Sequence, residues 1–185
     1  MQEIRWHGRG GQGGFTAARL LGMAAALYKN YYVQAFPSFG PERRGAPVLG
    51  FTRIDSKPIH DHSKVYSCDY VVVLDETLLE VVNVREGLKS DGVLLINSGQ
   101  DAQCFRSGPE FRVYTIDASS IAQEVLKQAV TNTAMFGALV AVSGLVSLEA
   151  ALRAVELTLP QEIWAKNQQV VTRAFNALSR DAVMH

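Results

Sequence analysis

Glu3-Ile4-Arg5-Trp6-His7-Gly8-Arg9-Gly10-Gly11-Gln12-Gly13-Gly14 stands almost at the start of the chain. A short strand-like run leads straight into a glycine-rich turn, and the mostly small and apolar residues Ala17 to Leu27 follow as a helix. A strand, a glycine turn and a helix start bring backbone N–H groups together where an anion is stabilised. The glycines match G-x-G-x-x-G at Gly8, Gly10 and Gly13. Such a match has two readings, a phosphate or nucleotide cradle and a tight structural turn. A dinucleotide fold adds an acidic residue about twenty positions on, at the end of the second strand. Here that strand reads Tyr31-Tyr32-Val33-Gln34-Ala35-Phe36, with no Asp or Glu, which argues against NAD.

Working outward, strand-like and helix-like segments alternate. The first strand is expected over Glu3–His7, the first helix over Gly14–Tyr28, and further strands over Tyr31–Phe36 and Val48–Ile54. The connection between those two strands, Pro37 to Pro47, holds three prolines and two glycines. It is too short for a parallel crossover, so the pair is expected to be antiparallel or not adjacent. Tyr70-Val71-Val72-Val73-Leu74 is continuously apolar, the mark of a central strand covered on both faces. A helical region over Glu76–Lys89, a turn at Asp91-Gly92 and strands Val93–Ile96 and Arg112–Ile116 complete the sheet. The tail is helical: Ser119–Gln128, Asn132–Ser143, Ser147–Leu157 and Pro160–Leu178, with Ser147 at an N-cap and Pro160 in a first turn. The pattern predicts one α/β domain over residues 1–185, a three-layer α/β/α sandwich. Its sheet is mixed but mostly parallel, and its C-terminal third is helical.

Composition narrows the function classes. With 185 residues and 48% hydrophobic residues, the chain can build a real core. Lys+Arg and Asp+Glu are both 18, so the basic excess of a nucleic-acid binder is missing. Two cysteines, Cys68 and Cys104, lie far apart without a CxxC pair, which speaks against a zinc or iron–sulfur site built by this chain alone. Two buried thiols are the plainer expectation. No leader is apparent and the apolar stretches are interrupted well short of a membrane span, so a cytoplasmic protein is expected.

The second unusual stretch is Phe36-Pro37-Ser38-Phe39-Gly40-Pro41-Glu42-Arg43-Arg44-Gly45-Ala46-Pro47. Prolines restrict the loop, and the arginine forks suit phosphate or carboxylate. The bland alternative is a solvated loop whose arginines pair with Glu42 or a neighbouring subunit. This loop and the glycine turn both leave carboxyl ends of strands, the side on which ligands collect, so both are expected to face one cleft.

The remaining candidates favour structural roles. His60 and His62 flank Asp61, but no further ligands at metal spacing follow, so a surface turn is expected. His7 is assigned a structural hydrogen bond, Asp75 and Asn132 helix caps, and Met135–Leu139 helix packing. There is no G-x-S-x-G, no Walker lysine after Gly13 and no Gly-Asp-Gly of a thiamine-diphosphate site. The chain has the look of a domain that assists chemistry performed elsewhere.

These residues together resemble the gamma subunit of the 2-oxoacid:ferredoxin oxidoreductases, most closely the pyruvate:ferredoxin (pyruvate synthase) branch. The resemblance runs through Glu3–Gly13 and Tyr32–Pro47, then Val71–Leu79, Gly92–Asn97, Asn132–Leu139 and Pro160–Glu162, nearly the whole chain. Gly14 replaces a bulkier residue, and Phe39 stands where Tyr is common. The resemblance implies a subunit of an enzyme that decarboxylates a 2-oxoacid oxidatively to an acyl-CoA and reduces ferredoxin. Thiamine diphosphate and iron–sulfur clusters are then expected on partner subunits of alpha, beta and delta type. For this chain it implies a cover over the active site and a candidate CoA-binding element, with no catalytic residue and no metal of its own. The candidate CoA contacts are Gly8, Gly10, Gly11, Gln12, Gly13, Arg43 and Arg44. The rival readings are a stand-alone nucleotide- or CoA-binding module and an NAD-linked dehydrogenase.

Overall fold

A computed structural model describes residues 1–38, 45–61, 63–106 and 111–182. The elements run β1 (Gln2–Arg9), α1 (Gly14–Lys29), β2 (Tyr32–Pro37), β3 (Pro47–Asp55), β4 (Cys68–Val73), β5 (Leu88–Asn97), β6 (Arg112–Ile116), α2 (Ala118–Leu126), α3 (Asn132–Ser143), α4 (Leu148–Thr158) and α5 (Gln161–Ala182). Single 3₁₀ turns lie at Glu76–Glu80 and Ala102–Phe105. The sheet order is β2-β3-β1-β4-β5-β6. β2 and β3 are adjacent and antiparallel, the first of the two arrangements their short connection allows, β3 is also antiparallel to β1, and the pairings β1–β4, β4–β5 and β5–β6 are parallel.

Side-chain alternation along β1 sorts the two faces. Ile4 and Trp6 point into the larger core with α1, α3, α4 and α5, where Val72 and Leu95 join them. On the opposite face Phe51, Val71, Val73, Leu94 and Ile96 are covered by Leu78, Val84 and other residues of the 3₁₀ segments and loops. Both faces are thus closed, which is why Tyr70–Leu74, of β4 and its exit, and Val93–Ile96 of β5 read as unbroken apolar runs. Among the described residues, helices α1 to α5 lie on one face, and the third layer is built of 3₁₀ turns and loops. Trp6 Nε1 donates to Thr52 Oγ1 at 3.1 Å, and that hydroxyl donates to the Ala18 carbonyl at 3.0 Å, tying β1, β3 and α1 together.

The helix expected over Glu76–Lys89 does not form. It is replaced by the Glu76–Glu80 turn and a set of further turns, and β5 begins at Leu88. Three β-branched valines in this segment have low helix propensity, and Asn83 Oδ1 accepts from the Arg85 N–H in a local turn. Gly87 has φ +71, and a Cβ there would lie 1.8 Å from the Tyr66 carbonyl oxygen. The Arg5 guanidinium takes the Val84 and Glu86 carbonyls that a helix would use internally.

The connections place a topological switch. α1 carries the chain away from β1 toward β2 and β3, whereas β4 leads on the other side toward β5 and β6. The carboxyl ends of the neighbouring strands β1 and β4 therefore open a crevice, the usual ligand position in open α/β sheets.

Candidate functional site

The glycine turn fills the β1 side of this crevice. Gly11 and Gly13 have φ +95 and +76, the left-handed region that favours glycine. At Gly13 a Cβ would also stand 2.4 Å from Asn132 Nδ2, so the start of α1 lies against the start of α3. The turn is knitted to Asp75 at the end of β4. Gln12 Oε1 accepts from the Arg9 backbone N–H at 2.7 Å, and Gln12 Nε2 donates to Asp75 Oδ2 at 2.8 Å. Arg9 Nε donates to the same oxygen at 3.1 Å, and its terminal nitrogens donate to Thr77 Oγ1 at 2.7 Å and the Gly45 carbonyl at 3.1 Å. Asp75 also caps the Glu76–Glu80 turn, accepting from the Thr77 N–H at 3.0 Å. Partial burial pushes its carboxyl pKa up, but the hydrogen bonds from Thr77 and Gln12 and the Arg9 charge outweigh burial and hold it below the usual value. Asp75 is anionic at neutral pH.

Among the candidate backbone donors, the Gly10 N–H is taken by the Ala46 carbonyl at 2.9 Å and the Gln12 N–H by the Arg9 carbonyl at 3.0 Å. The Gly11 and Gly13 N–H groups have no hydrogen-bond partner among the described residues. α1 begins without a side-chain cap, and a Cβ at Gly11 or Gly14 would meet nothing within 4 Å. Two unused donors at an uncapped helix N-terminus are a setting for an anion.

On the β5 side, a cavity of about 400 Å³ is lined by Gln12, Asp75, Thr77, Asn97, Asp117 and Ser119, among others. Asn97 Nδ2 donates to the Leu74 carbonyl at 2.9 Å and to Ser119 Oγ at 3.0 Å, fixing this wall. The carboxylates here repel phosphate, and together with the hydroxyls they suit a ligand's hydroxyl groups. The sequence reading assigned Asp75 a cap alone and did not single out Thr77, Asn97 or Ser119. The signal was available for Asp75, since it ends the apolar strand that must neighbour β1.

Arg43 and Arg44 lie outside the described residues, as does His62. The described flank of their loop sits on the glycine turn, with the Gly45 N–H donating to the Gly10 carbonyl at 3.2 Å. Among the described residues no group of His, Cys, Asp and Glu could hold a metal ion. His60 is exposed. Cys68 is buried as expected, but Cys104 is exposed in the second 3₁₀ turn, none of whose residues is buried. The N-cap of α3 is Thr131 rather than Asn132; Asn132 occupies the first helical position and its Oδ1 accepts from the Thr133 N–H at 2.8 Å. Ser147 caps α4 as expected, accepting from the Ala150 N–H at 3.1 Å. His7 carries the expected structural hydrogen bond, its Nε2 accepting from Arg5 Nε at 3.0 Å. Burial, and secondarily the Arg5 charge, lower its pKa to about 3. No helix among the described residues is long and apolar enough to cross a membrane.

Comparison with known proteins agrees with this architecture. Residues 3–177 match the family model described as pyruvate ferredoxin/flavodoxin oxidoreductase. The chain is 48% identical over 180 residues to pyruvate synthase subunit PorC of Methanothermobacter thermautotrophicus, covering 97% of both chains. It is 46% identical to the pyruvate/ketoisovalerate oxidoreductases common subunit gamma of Pyrococcus abyssi, covering 95% of this chain and 96% of that one. The crystal structure of pyruvate oxidoreductase subunit PORC from Thermotoga maritima superposes with a TM-score of 0.80 at 41% identity, covering 95% of each chain. A 2-oxoglutarate:ferredoxin oxidoreductase from Magnetococcus marinus shares the fold, with a TM-score of 0.74 at 19% identity over 97% of this chain and 31% of that one. The chain belongs to the pyruvate ferredoxin/flavodoxin oxidoreductase family, as a gamma-type subunit.

Proposed function

We propose that this chain serves its oxidoreductase as a non-catalytic element that holds coenzyme A and covers the active site, with pyruvate as the 2-oxoacid. Partner subunits of alpha, beta and delta type carry the thiamine diphosphate and the iron–sulfur clusters and deliver electrons to ferredoxin. The observation that carries the CoA reading is the pair of unused N–H groups at Gly11 and Gly13, beside an uncapped α1 start at the switch point. A phosphate group fits those donors. Ribose or pantetheine hydroxyls fit the neighbouring wall of Asp75, Asn97 and Ser119. Gly8 and Gly10 shape the turn, Gln12 locks it to Asp75, and Arg43 and Arg44 add positive charge from the adjoining loop. The Magnetococcus marinus enzyme was solved with 2-oxoglutarate, coenzyme A and succinyl-CoA bound, which makes CoA a ligand of that assembly. Names of relatives that cover pyruvate alone, or pyruvate and ketoisovalerate together, fit a subunit that leaves 2-oxoacid selection to its partners.

Removing both arginines tests this. In the purified assembly, Arg43→Ala with Arg44→Ala raises the KM for CoA about tenfold or more, the worth of one or two charge-assisted hydrogen bonds. The thermal midpoint changes little. Equal losses of stability and CoA-dependent turnover would count against the assignment. Elution of the chain alone and apo, after expression with its genomic neighbours, would instead support a stand-alone module.

A further inference from the structure

A second cavity lies behind β1, on the sheet face away from α1; it touches Gly8 at the root of the glycine turn but shares no lining residue with the Asp75, Asn97 and Ser119 wall. Its volume is about 550 Å³, and Arg5, His7, Leu49, Leu78 and Val82 form much of its wall. That size is within the range of small-molecule pockets. Arg5 and His7 are 7% and 6% exposed. Arg5 Nε donates to His7 Nε2, and one terminal nitrogen, Nη2, donates to the carbonyls of Val84 and Glu86. These contacts orient the guanidinium without neutralising it. Its other terminal nitrogen, Nη1, has no acceptor, and Arg5 makes no ion pair among the described residues. A buried cation without a counter-ion is costly, and the cavity it lines is where one could enter. Because His7 accepts at Nε2, a neutral ring carries its proton on Nδ1, which has no partner among the described residues. The depressed basicity of this imidazole keeps it neutral at pH 7.

We propose that this cavity is a binding site for a small monocarboxylate with an apolar body, its carboxylate held by Arg5 Nη1 and the His7 ring N–H. One uncompensated positive charge and a few donors match a single negative charge. A phosphate dianion needs more of both, and the exposed Glu86 at the cavity mouth repels the second charge. Leu49, Leu78 and Val82 supply the apolar wall. Its two donors and its apolar wall are separate from the groups assigned to CoA.

The test is calorimetric titration of the purified assembly with three probes that share one branched body: isovalerate, isoamyl phosphate and isoamyl alcohol. Isovalerate saturates one site per copy of this chain and binds at least tenfold tighter than the alcohol or the phosphate. Leu49→Trp, at the position paired with His7 across β1 and β3, fills the cavity while leaving both donor side chains in the sequence, and weakens isovalerate at least tenfold. Val82→Trp closes it from another wall, so either variant that assembles serves. CoA binding is unchanged by both, which keeps this result separate from the CoA assignment. The site is refuted if isovalerate fails to bind at tens of millimolar, if the phosphate binds more tightly, or if an assembled cavity variant retains wild-type affinity.

Discussion

His7 is a titratable group that burial displaces far from its ordinary value. Its pKa falls from 6.5 to about 3, mainly by burial and then by the Arg5 charge. Below pH 6.5 the unfolded chain takes a proton on this ring that the native chain refuses until about pH 3. Proton uptake by the unfolded state means that stability falls as pH drops through that window, by up to about 1.4 kcal/mol per unit. We expect urea unfolding at pH 5 to lie about 2 kcal/mol below its value at pH 7 from this group alone. His7→Gln, which still offers an acceptor to Arg5, removes that difference; a pH dependence equal to wild type in the variant would contradict the depressed pKa. Gly13 makes a second residue-scale prediction. Gly11→Ala meets only the positive-φ penalty, about 1–2 kcal/mol, because nothing lies within 4 Å of its Cβ position. Gly13→Ala meets the same penalty plus the Asn132 side chain, and loses about 1 kcal/mol more. Adding Asn132→Ala recovers the excess, so the double-mutant cycle gives a non-zero coupling where a remote pair gives none.

At the scale of elements, α3 is the least amphipathic helix and the most enclosed. Every residue from Asn132 to Val140 is buried, between α5, α1 and the sheet. Gly137 lets α5 approach, since a Cβ there would lie 2.5 Å from the Val171 carbonyl oxygen and 2.9 Å from its Cα. Helix propensity alone says that Gly137→Ala should gain about 1 kcal/mol. The backbone contact reverses the sign, and we expect a loss of about 2–3 kcal/mol in chemical denaturation. A stabilised variant would show that the two helices separate freely. This helix was legible in the sequence because its body, Ala134 to Val142, is apolar. So were the buried strands β4 and β5 and the antiparallel β2–β3 pair, where periodicity and a short proline-bearing connection act locally. The Glu76–Lys89 segment misled because its turns depend on partners far away: the Arg5 guanidinium and the Tyr66 backbone. The site divides in the same way. The glycine turn announces itself through backbone chemistry, whereas the Arg9–Gln12–Asp75 bonds join residues more than sixty positions apart. The buried Arg5–His7 pair was half visible, as a histidine with a structural bond, while its cavity depends on how the third layer closes.

At the scale of the molecule, Asp75 joins the two halves of the sheet at their switch point. It receives Arg9 and Gln12 from the turn that leads toward β2 and β3, and Thr77 from the segment that leads toward β5. The turn can present its Gly11 and Gly13 donors only in the conformation those bonds select. Asp75→Asn keeps the size of the side chain but deprives Arg9 of its anionic partner. The pair is partly exposed, so the cost in global stability is about 1 kcal/mol or less. On the proposed CoA role the cost to function is larger, because Arg9 then swings free and the turn samples other conformations before it can meet a phosphate. We therefore expect the assembled Asp75→Asn enzyme to show a KM for CoA raised several-fold, a KM for the 2-oxoacid unchanged, and an urea midpoint close to wild type. Arg9→Lys, which retains the charge but loses the fork that spans Asp75, Thr77 and Gly45, should reproduce most of the CoA effect. If both variants bind CoA as the wild type does, the ligand does not read this turn, and the glycines at the head of the chain serve packing alone.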